Sequence, residues 1–538
     1  MKLLKAFLIP AMLYMLIAAC QLGTKQQAPA IALRNTMVNP GNAYNDLFLD
    51  SPAVARFIAQ QHLNDTLANT LRSFYNVRNF EYAWFDSHGP TEQGMGFRSL
   101  YHYRHDTSAD NDRLENQLDD LSTKDDTTIS GHEAGIVKME LQLSLRFIQY
   151  MLNTYKSLPV TQLEQFVPIE KQPVLKLADS VLADKSHGHK RYETANPAYT
   201  AMEKPLQQYV DIARKGGWDT VTMNKKRYRK GDTGITILQL KKRLQATGEM
   251  PAADSSPVFD IALEKAVKAF QHYYGYTPTG MVSDTLVQEM NVSAKARVQQ
   301  LLINMERMHW MPPAAEGRLV VVNIPEFMLH VWEGKRKVFD MPVVVGREGH
   351  STTMFSGEMN QVVFNPYWHV PAGIVRREIL PAMEKNKHYL EENDMEITGE
   401  RNGLPVIRQR PGKKNALGRV KFIFPNSFNI YLHDTPAKGL FNSDKRAYSH
   451  GCIRLSDPAK MADYVLHGMP GWTPEKIDSA MNRGDQEKYI KLKQPVPVRI
   501  TYYTAWVDEQ GNLQFREDIY GHDQRSSQKM FTDPEPVL

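Results

Sequence analysis

Through roughly the first half of the chain apolar residues recur at three- and four-residue spacing, and beyond Arg318 they recur at every second position. The first pattern predicts helices around 51–71 (within VARFIAQQHLNDTLANTLRSFY) and over 136–155 (IVKMELQLSLRFIQYMLNTY), with helical patterning continuing to 213. Between them lie an aromatic stretch, NFEYAWFDSHG, and a polar, acidic run at 106–130 that predicts loop or a solvated helix face. RKGDTGITILQLKKRLQATGEM and FDIALEKAVKAFQHYYGYTPTGMVSDTLVQEMN predict three short helices, with Ile237, Leu240 and Leu244 on one face and Val267, Phe270 and Tyr274 on another. Gly231-Asp232 supplies a turn and a negative charge before the first of them. A further helix over 294–311 stops at Pro312-Pro313. Then RLVVVNIPEFMLHVWEGKRKVFDMPVVVG reads as three strands with EGKR at a hairpin tip, and QVVFNPYWHVP as strand followed by turn. Residues 374–393 are helical in pattern, the segment up to Gly418 is polar and rich in Gly, Arg and Lys, and VKFIFPNSFNIYLHDT supplies two more strands.

These patterns predict a multidomain α+β chain: a helical N-terminal scaffold (47–225), a small three-helix module (226–292), a connecting helix (293–316) and a mainly β domain with a helical insertion (317–505), followed by a C-terminal tail (506–538). The 538 residues suit several domains, and 42% hydrophobic with 23% charged residues excludes wholesale disorder. The net charge of +5 is small, and no dense Lys/Arg stripe interleaved with aromatics points to nucleic acid. Lys2 and Lys5 precede an apolar run over 6–19, broken by Pro10, in the layout of an export signal too short for a comfortable membrane span. Ile17-Ala18-Ala19-Cys20 resembles the lipobox of bacterial lipoproteins, which implies lipidation of Cys20 and a tether over 21–46.

If Cys20 belongs to that signal, Cys452 is the single thiol of the folded protein, and it stands in Ser449-His450-Gly451-Cys452-Ile453-Arg454. A thiol nucleophile needs a base or a positive environment, because an unperturbed cysteine is mostly protonated near neutral pH. His450 is two residues away, and His433 ends the strand segment Asn429-Ile430-Tyr431-Leu432-His433, where alternation places Tyr431 and His433 on one face. Gly451 leaves room for a substrate and frees neighbouring amides to face a developing oxyanion, and Arg454 suits bidentate binding of a carboxylate or an internal ion pair. A zinc site of His433, His450 and Cys452 lacks a fourth ligand at a supporting spacing, so neither metal nor cofactor is expected.

A histidine, fifteen intervening residues and Ser-His-Gly-Cys-hydrophobic-Arg resembles the signature of the L,D-transpeptidase (YkuD-domain) family. The Gly-Asp-x-Gly entry, AVKAFQ and the third element of the small module resemble peptidoglycan-binding domain 1, and the whole chain is similar to the long Gram-negative branch. The resemblance implies a periplasmic, membrane-anchored enzyme of cell-wall biogenesis and cell shape, contacting peptidoglycan stem peptides, glycan strands and other cell-wall enzymes. It implies Cys452 as nucleophile, His433 as general base, His450 with local amides as oxyanion stabiliser, and Tyr431, Ser449, Gly451 and Arg454 around the substrate. It further implies a lid at about 355–419, with Trp368 as a pocket wall. The expected reaction releases D-alanine from a tetrapeptide stem and forms a 3→3 cross-link. L,D-carboxypeptidase activity or attachment of a protein amine would use the same acyl-enzyme, and a non-catalytic lipid-tethered wall binder is the reading from a different class.

Overall fold

The computed structural model describes residues 28–102, 109–122, 128–155, 163, 166–183, 197–251, 255–311, 317–483 and 486–536. The expected export signal, with Cys20, lies outside them, as does Pro312-Pro313. The helix expected at 51–71 is two helices, Ser51–Gln60 and Asp65–Val77. The break falls where His62 takes a left-handed conformation (φ 48°) and the Asn64 side chain accepts from Leu67 N, capping the second helix. Part of the acidic run forms a helix, Ala109–Ser122, because Leu114 and Leu118 are buried on one side of it.

In the small module, helices Ile235–Thr247, Ile261–Tyr273 and Asp284–Met290 form as their spacing predicts. Asp260 and Ser283 cap the second and third through Leu263 N and Leu286 N, and Gly248 closes the first in a left-handed turn at φ 93°. Asp232 is no helix cap; it pairs with Lys225 at 2.6 Å. Nor is the module's core separate, since it runs on into the connecting helix Ala294–His309 and helices Val174–Ala183 and Pro197–Arg214. That helix is therefore apolar on several faces, with Val298, Leu301, Leu302, Ile303, Met305 and Met308 all buried. Its last turn delivers Trp310 into an aromatic cluster of the scaffold with Trp84, Phe97 and Phe147.

The strands of the β domain are β1 (Arg318–Asn323), β2 (Met328–Glu333), β3 (Arg336–Gly346), β4 (Phe355–Phe364), β5 (Trp368–His369), β6 (Met395–Arg401), β7 (Leu404–Gln409), β8 (Val420–Ile423), β9 (Leu432–His433), β10 (Ala447–Ser449), β11 (Ile453–Leu455) and β12 (Lys488–Thr501). They pair in the order β10-β3-β11-β9-β8-β4-β12-β1-β2, and the first half of β3 also pairs with β2, so the sheet closes on itself. Alternation fills the interior: Val320 and Val322, Leu329 and Val331, Val343 and Val345, Val362 and Phe364, Val420 and Phe422, and Ile453 and Leu455 meet in one core.

β4 belongs to this closed sheet, so the insertion begins after Phe364, later than the 355 expected. It holds the sheet β6-β7-β5 and a helical run from Ala372 to Lys385, whose middle turn Val375–Ile379 is a π-helix just before Pro381, a residue that cannot donate. Val370, Val375, Ile379, Met395 and Ile407 give it a core of its own.

Beyond Ala505, where only a tail was expected, the chain forms β13 (Ala505–Val507), β14 (Leu513–Phe515) and a helix, His522–Met530. Phe515 and Met530 join the helical core while Tyr520 packs on the barrel, so this segment fastens the two halves together.

Candidate active site

Cys452 sits in the loop between β10 and β11, partly exposed. The loop is held from behind. Ser449 Oγ donates to the Cys452 carbonyl at 2.5 Å and accepts from Gly451 N at 3.1 Å, while Thr352 Oγ1 donates to the Gly451 carbonyl at 2.8 Å and accepts from Gly346 N at 2.9 Å. The Tyr520 hydroxyl in turn donates to the Gly346 carbonyl. Ser449, expected against the substrate, is thus buried as the clasp of the loop. Ser449 occupies the Gly451 amide, while the amide of Cys452 has no partner among the described residues.

Two glycines make the loop possible. Gly451 lies at φ 110°, a region closed to side-chain-bearing residues, and a Cβ on Gly346 would stand 2.1 Å from the His350 carbonyl oxygen and 3.1 Å from Gly451 Cα. Gly346→Ala is expected to displace the loop carrying Cys452 and to slow alkylation of that thiol by iodoacetamide at least about tenfold, with a loss of stability of about 1–3 kcal/mol, measured by mass spectrometry and denaturant unfolding.

His433 ends β9 and is 3% exposed. Its Nδ1 donates to the Asp434 carbonyl at 2.5 Å; a carbonyl only accepts, so the neutral ring keeps its lone pair on Nε2. Burial, with Arg454 next, pushes the imidazole pKa down to about 3, against the pull of the Asp434 and Leu417 carbonyls. Burial likewise pushes the Cys452 thiol up, an effect that contacts with Tyr431 and the charges of Arg454 and Lys421 oppose. Thiol and imidazole are both neutral at rest. The thiol points at the Asn429 carbonyl, 3.6 Å away. The Tyr431 ring stands edge-on to His433 at 5.7 Å, on the same side as the alternation predicts, although only Leu432 and His433 of that segment are strand.

His450 faces outward. Its Nε2 lies 2.7 Å from Glu378 of the insertion and 3.4 Å from Arg347, and its ring is 5.1 Å from that of His350. The imidazole expected to stabilise an oxyanion is therefore turned to the mouth of the site, joining the insertion to the catalytic loop. Trp368 packs with the insertion's own apolar cluster. Glu378 and Arg347 carry no sequence signal, being separated from His450 by 72 and 103 residues.

Lys421 is a further residue at the site. Register pairs Lys421 with His433 and His433 with Arg454, which sets Lys421, His433 and Arg454 in one row across β8, β9 and β11. Their sequence neighbours Val420, Phe422, Leu432, Ile453 and Leu455 point into the barrel, so the row lies on the opposite face, toward Cys452.

Residues 317–477 match the YkuD family, the L,D-transpeptidase catalytic domain, residues 69–206 match a scaffold domain and residues 233–290 a peptidoglycan binding domain. A Haemophilus influenzae protein named as an L,D-transpeptidase is 31% identical over 243 residues, covering 42% of this chain and 48% of the relative, so the chain spans about half the length of that curated protein. Among solved structures, an L,D-transpeptidase from Mycobacterium smegmatis is 12% identical, with 34% of this chain and 58% of the other covered at a TM-score of 0.20. Another, from Xylanimonas cellulosilytica, is 15% identical, with 52% and 100% covered at a TM-score of 0.16.

Proposed function

Since the chain carries an L,D-transpeptidase catalytic domain behind a peptidoglycan binding domain, we propose that it forms 3→3 cross-links between peptidoglycan stems through a thioester on Cys452. The observation that carries this reading is the pairing of Cys452, on a loop whose own amide is unengaged, with His433, a buried imidazole fixed in the tautomer of a base. His433 Nε2 takes the thiol proton as sulfur adds to the carbonyl carbon of the third stem residue. The oxyanion turns to the Cys452 amide. The carbon–nitrogen bond to the terminal D-alanine breaks as His433 returns the proton to the leaving amine, and a thioester remains. An acceptor amine then adds to the thioester and loses its proton to His433, and the thiol departs. In this reading the peptidoglycan binding domain holds the wall while this proceeds, and the lipobox-like sequence at Cys20 supports a periplasmic enzyme anchored at a membrane surface.

Incubation with a disaccharide-tetrapeptide, followed by mass spectrometry of protein and products, tests the reading. The expected result is a thioester on Cys452, release of D-alanine and a 3→3 dimer, with a carbapenem adduct on the same residue and all of these absent in Cys452→Ala. Hydrolysed tripeptide without dimer would reassign the enzyme as an L,D-carboxypeptidase. Wall binding with no adduct on Cys452 would overturn the enzymatic reading altogether.

A further inference from the structure

The row Lys421–His433–Arg454 places a cation on each side of the base, Arg454 without a carboxylate partner among the described residues and Lys421 with a single long ion pair. The Arg454 guanidinium has no hydrogen bond among the described residues, and its Nε is sealed from solvent without a partner. The Lys421 side chain is 13% exposed, and its nearest carboxylate, Glu487, lies 4.0 Å away and accepts from Tyr367 N at 3.0 Å. Two half-buried cations beside a neutral thiol and a neutral imidazole are costly to maintain, and a protein that keeps such charges has an anion to receive. Burial lowers the pKa of both groups, in keeping with cations short of counter-charge.

We infer that Lys421 and Arg454 together form the receptor for the free C-terminal carboxylate of the donor, the one on the residue that leaves. The proposal rests on the reading of the donor as a tetrapeptide stem. The leaving nitrogen must lie against His433 to be protonated, and the carboxylate carbon is two bonds from that nitrogen, within about 2.5 Å of it by standard bond lengths. Adjacent strands are about 4.8 Å apart, so Lys421 and Arg454 flank the His433 position at that spacing, and their long side chains reach a carboxylate held beside the ring. The anion would also offset the field of Arg454 on the imidazole, so a correct donor would help His433 hold the thiol proton. A stem with a fifth residue, or a C-terminal amide, has no charge at that point and leaves Arg454 unpaired and Lys421 with its long contact to Glu487 alone. Lys421 is thereby a specificity-determining residue: it selects stems that end one residue beyond the scissile bond.

The test compares tetrapeptide donors ending in a free carboxylate and in a carboxamide, with thioester formation on Cys452 followed by mass spectrometry in wild type, Lys421→Met and Lys421→Arg. Wild type is expected to favour the acid over the amide about 10²-fold in kcat/KM. Lys421→Met is expected to lose at least about tenfold of that preference, and Lys421→Arg to keep most of it. Iodoacetamide, which carries no carboxylate, reports in the same proteins whether the thiol is still presented. An acid-to-amide ratio unchanged in Lys421→Met, or a wild type indifferent to the carboxylate, would overturn the receptor while leaving the transpeptidase reading intact. Absence of a thioester from both donors would overturn the reading of the donor, and the receptor with it.

Discussion

His433→Gln is expected to lower the rate of Cys452 acylation by tetrapeptide donor about 10³-fold, because among the described residues no other imidazole is placed to take the thiol proton at neutral pH. Tyr431 cannot serve, since burial and the neighbouring thiol push its hydroxyl well above the usual range, and His450 is engaged at the mouth. The pH dependence separates this reading from a solvated histidine. With its pKa pushed down to about 3, His433 stays in the basic form far below pH 6.5, so the acylation rate of the free enzyme is expected to show no acidic limb centred there. The same shift sets a stability window. Below pH 6.5 the unfolded chain binds a proton at this residue and the folded chain does not, so stability falls as pH drops from 6.5 toward about 3, and His433→Gln removes that part of the slope. A rate profile from rapid-quench mass spectrometry with a midpoint near 6.5, abolished by His433→Gln, would show an accessible imidazole and sink the neutral-pair mechanism.

The largest expected loss of stability lies far from the chemistry. Arg307, on the connecting helix, is buried between Glu92 of the scaffold at 3.0 Å and Asp523 of the C-terminal helix at 2.5 Å. Burial alone would raise the Glu92 pKa, but Arg307 and His522 hold the carboxyl well below the usual range. Arg307→Met leaves the buried Asp523 without its cation and the partly buried Glu92 with only His522, and is expected to cost about 3–5 kcal/mol. Because the Glu92 pKa is depressed, its stabilisation is full above the ordinary carboxylate pKa and lost as pH falls through the folded value, so the mutant's deficit narrows in acid. Urea unfolding at pH 7 and pH 4 measures both effects. Adding Glu92→Gln and Asp523→Asn to Arg307→Met is expected to recover most of the loss at pH 7, and an unrecovered loss would assign the effect to packing.

Much of the fold is legible in the sequence. The alternation in VKFIF announces the barrel, since Val420, Phe422 and Phe424 are buried while Lys421 and Ile423 between them are not fully so, and RLVVVN announces it as an apolar run covered on both faces. The strands of the insertion lack that contrast: Met395 and Ile407 are buried, but Ile397 and Val406 are exposed, and Glu396 spends itself on Arg408 and Arg410 at the surface. Such a hairpin is held by pairing and ion pairs, neither of which leaves a period in the sequence. Cys452 and His433 could be read from their local motifs. Lys421 could not, since it lies in an ordinary strand pattern and acquires its neighbours only when the register across β8, β9 and β11 is fixed. The C-terminal hairpin and helix escaped for a similar reason, as their apolar residues are few and are buried against cores built by distant parts of the chain.

The bond from the Tyr520 hydroxyl to the Gly346 carbonyl also orders events in time. The nucleophile is synthesised 68 residues before the tyrosine that backs its loop, counting from Cys452 to Tyr520. A growing chain can therefore close most of the barrel, with Ser449 and Thr352 already on the loop, before the tyrosine behind Gly346 exists. The backing of the loop is complete only once the segment around Tyr520 has docked, so the loop that carries Cys452 is fixed later than the strands on either side of it.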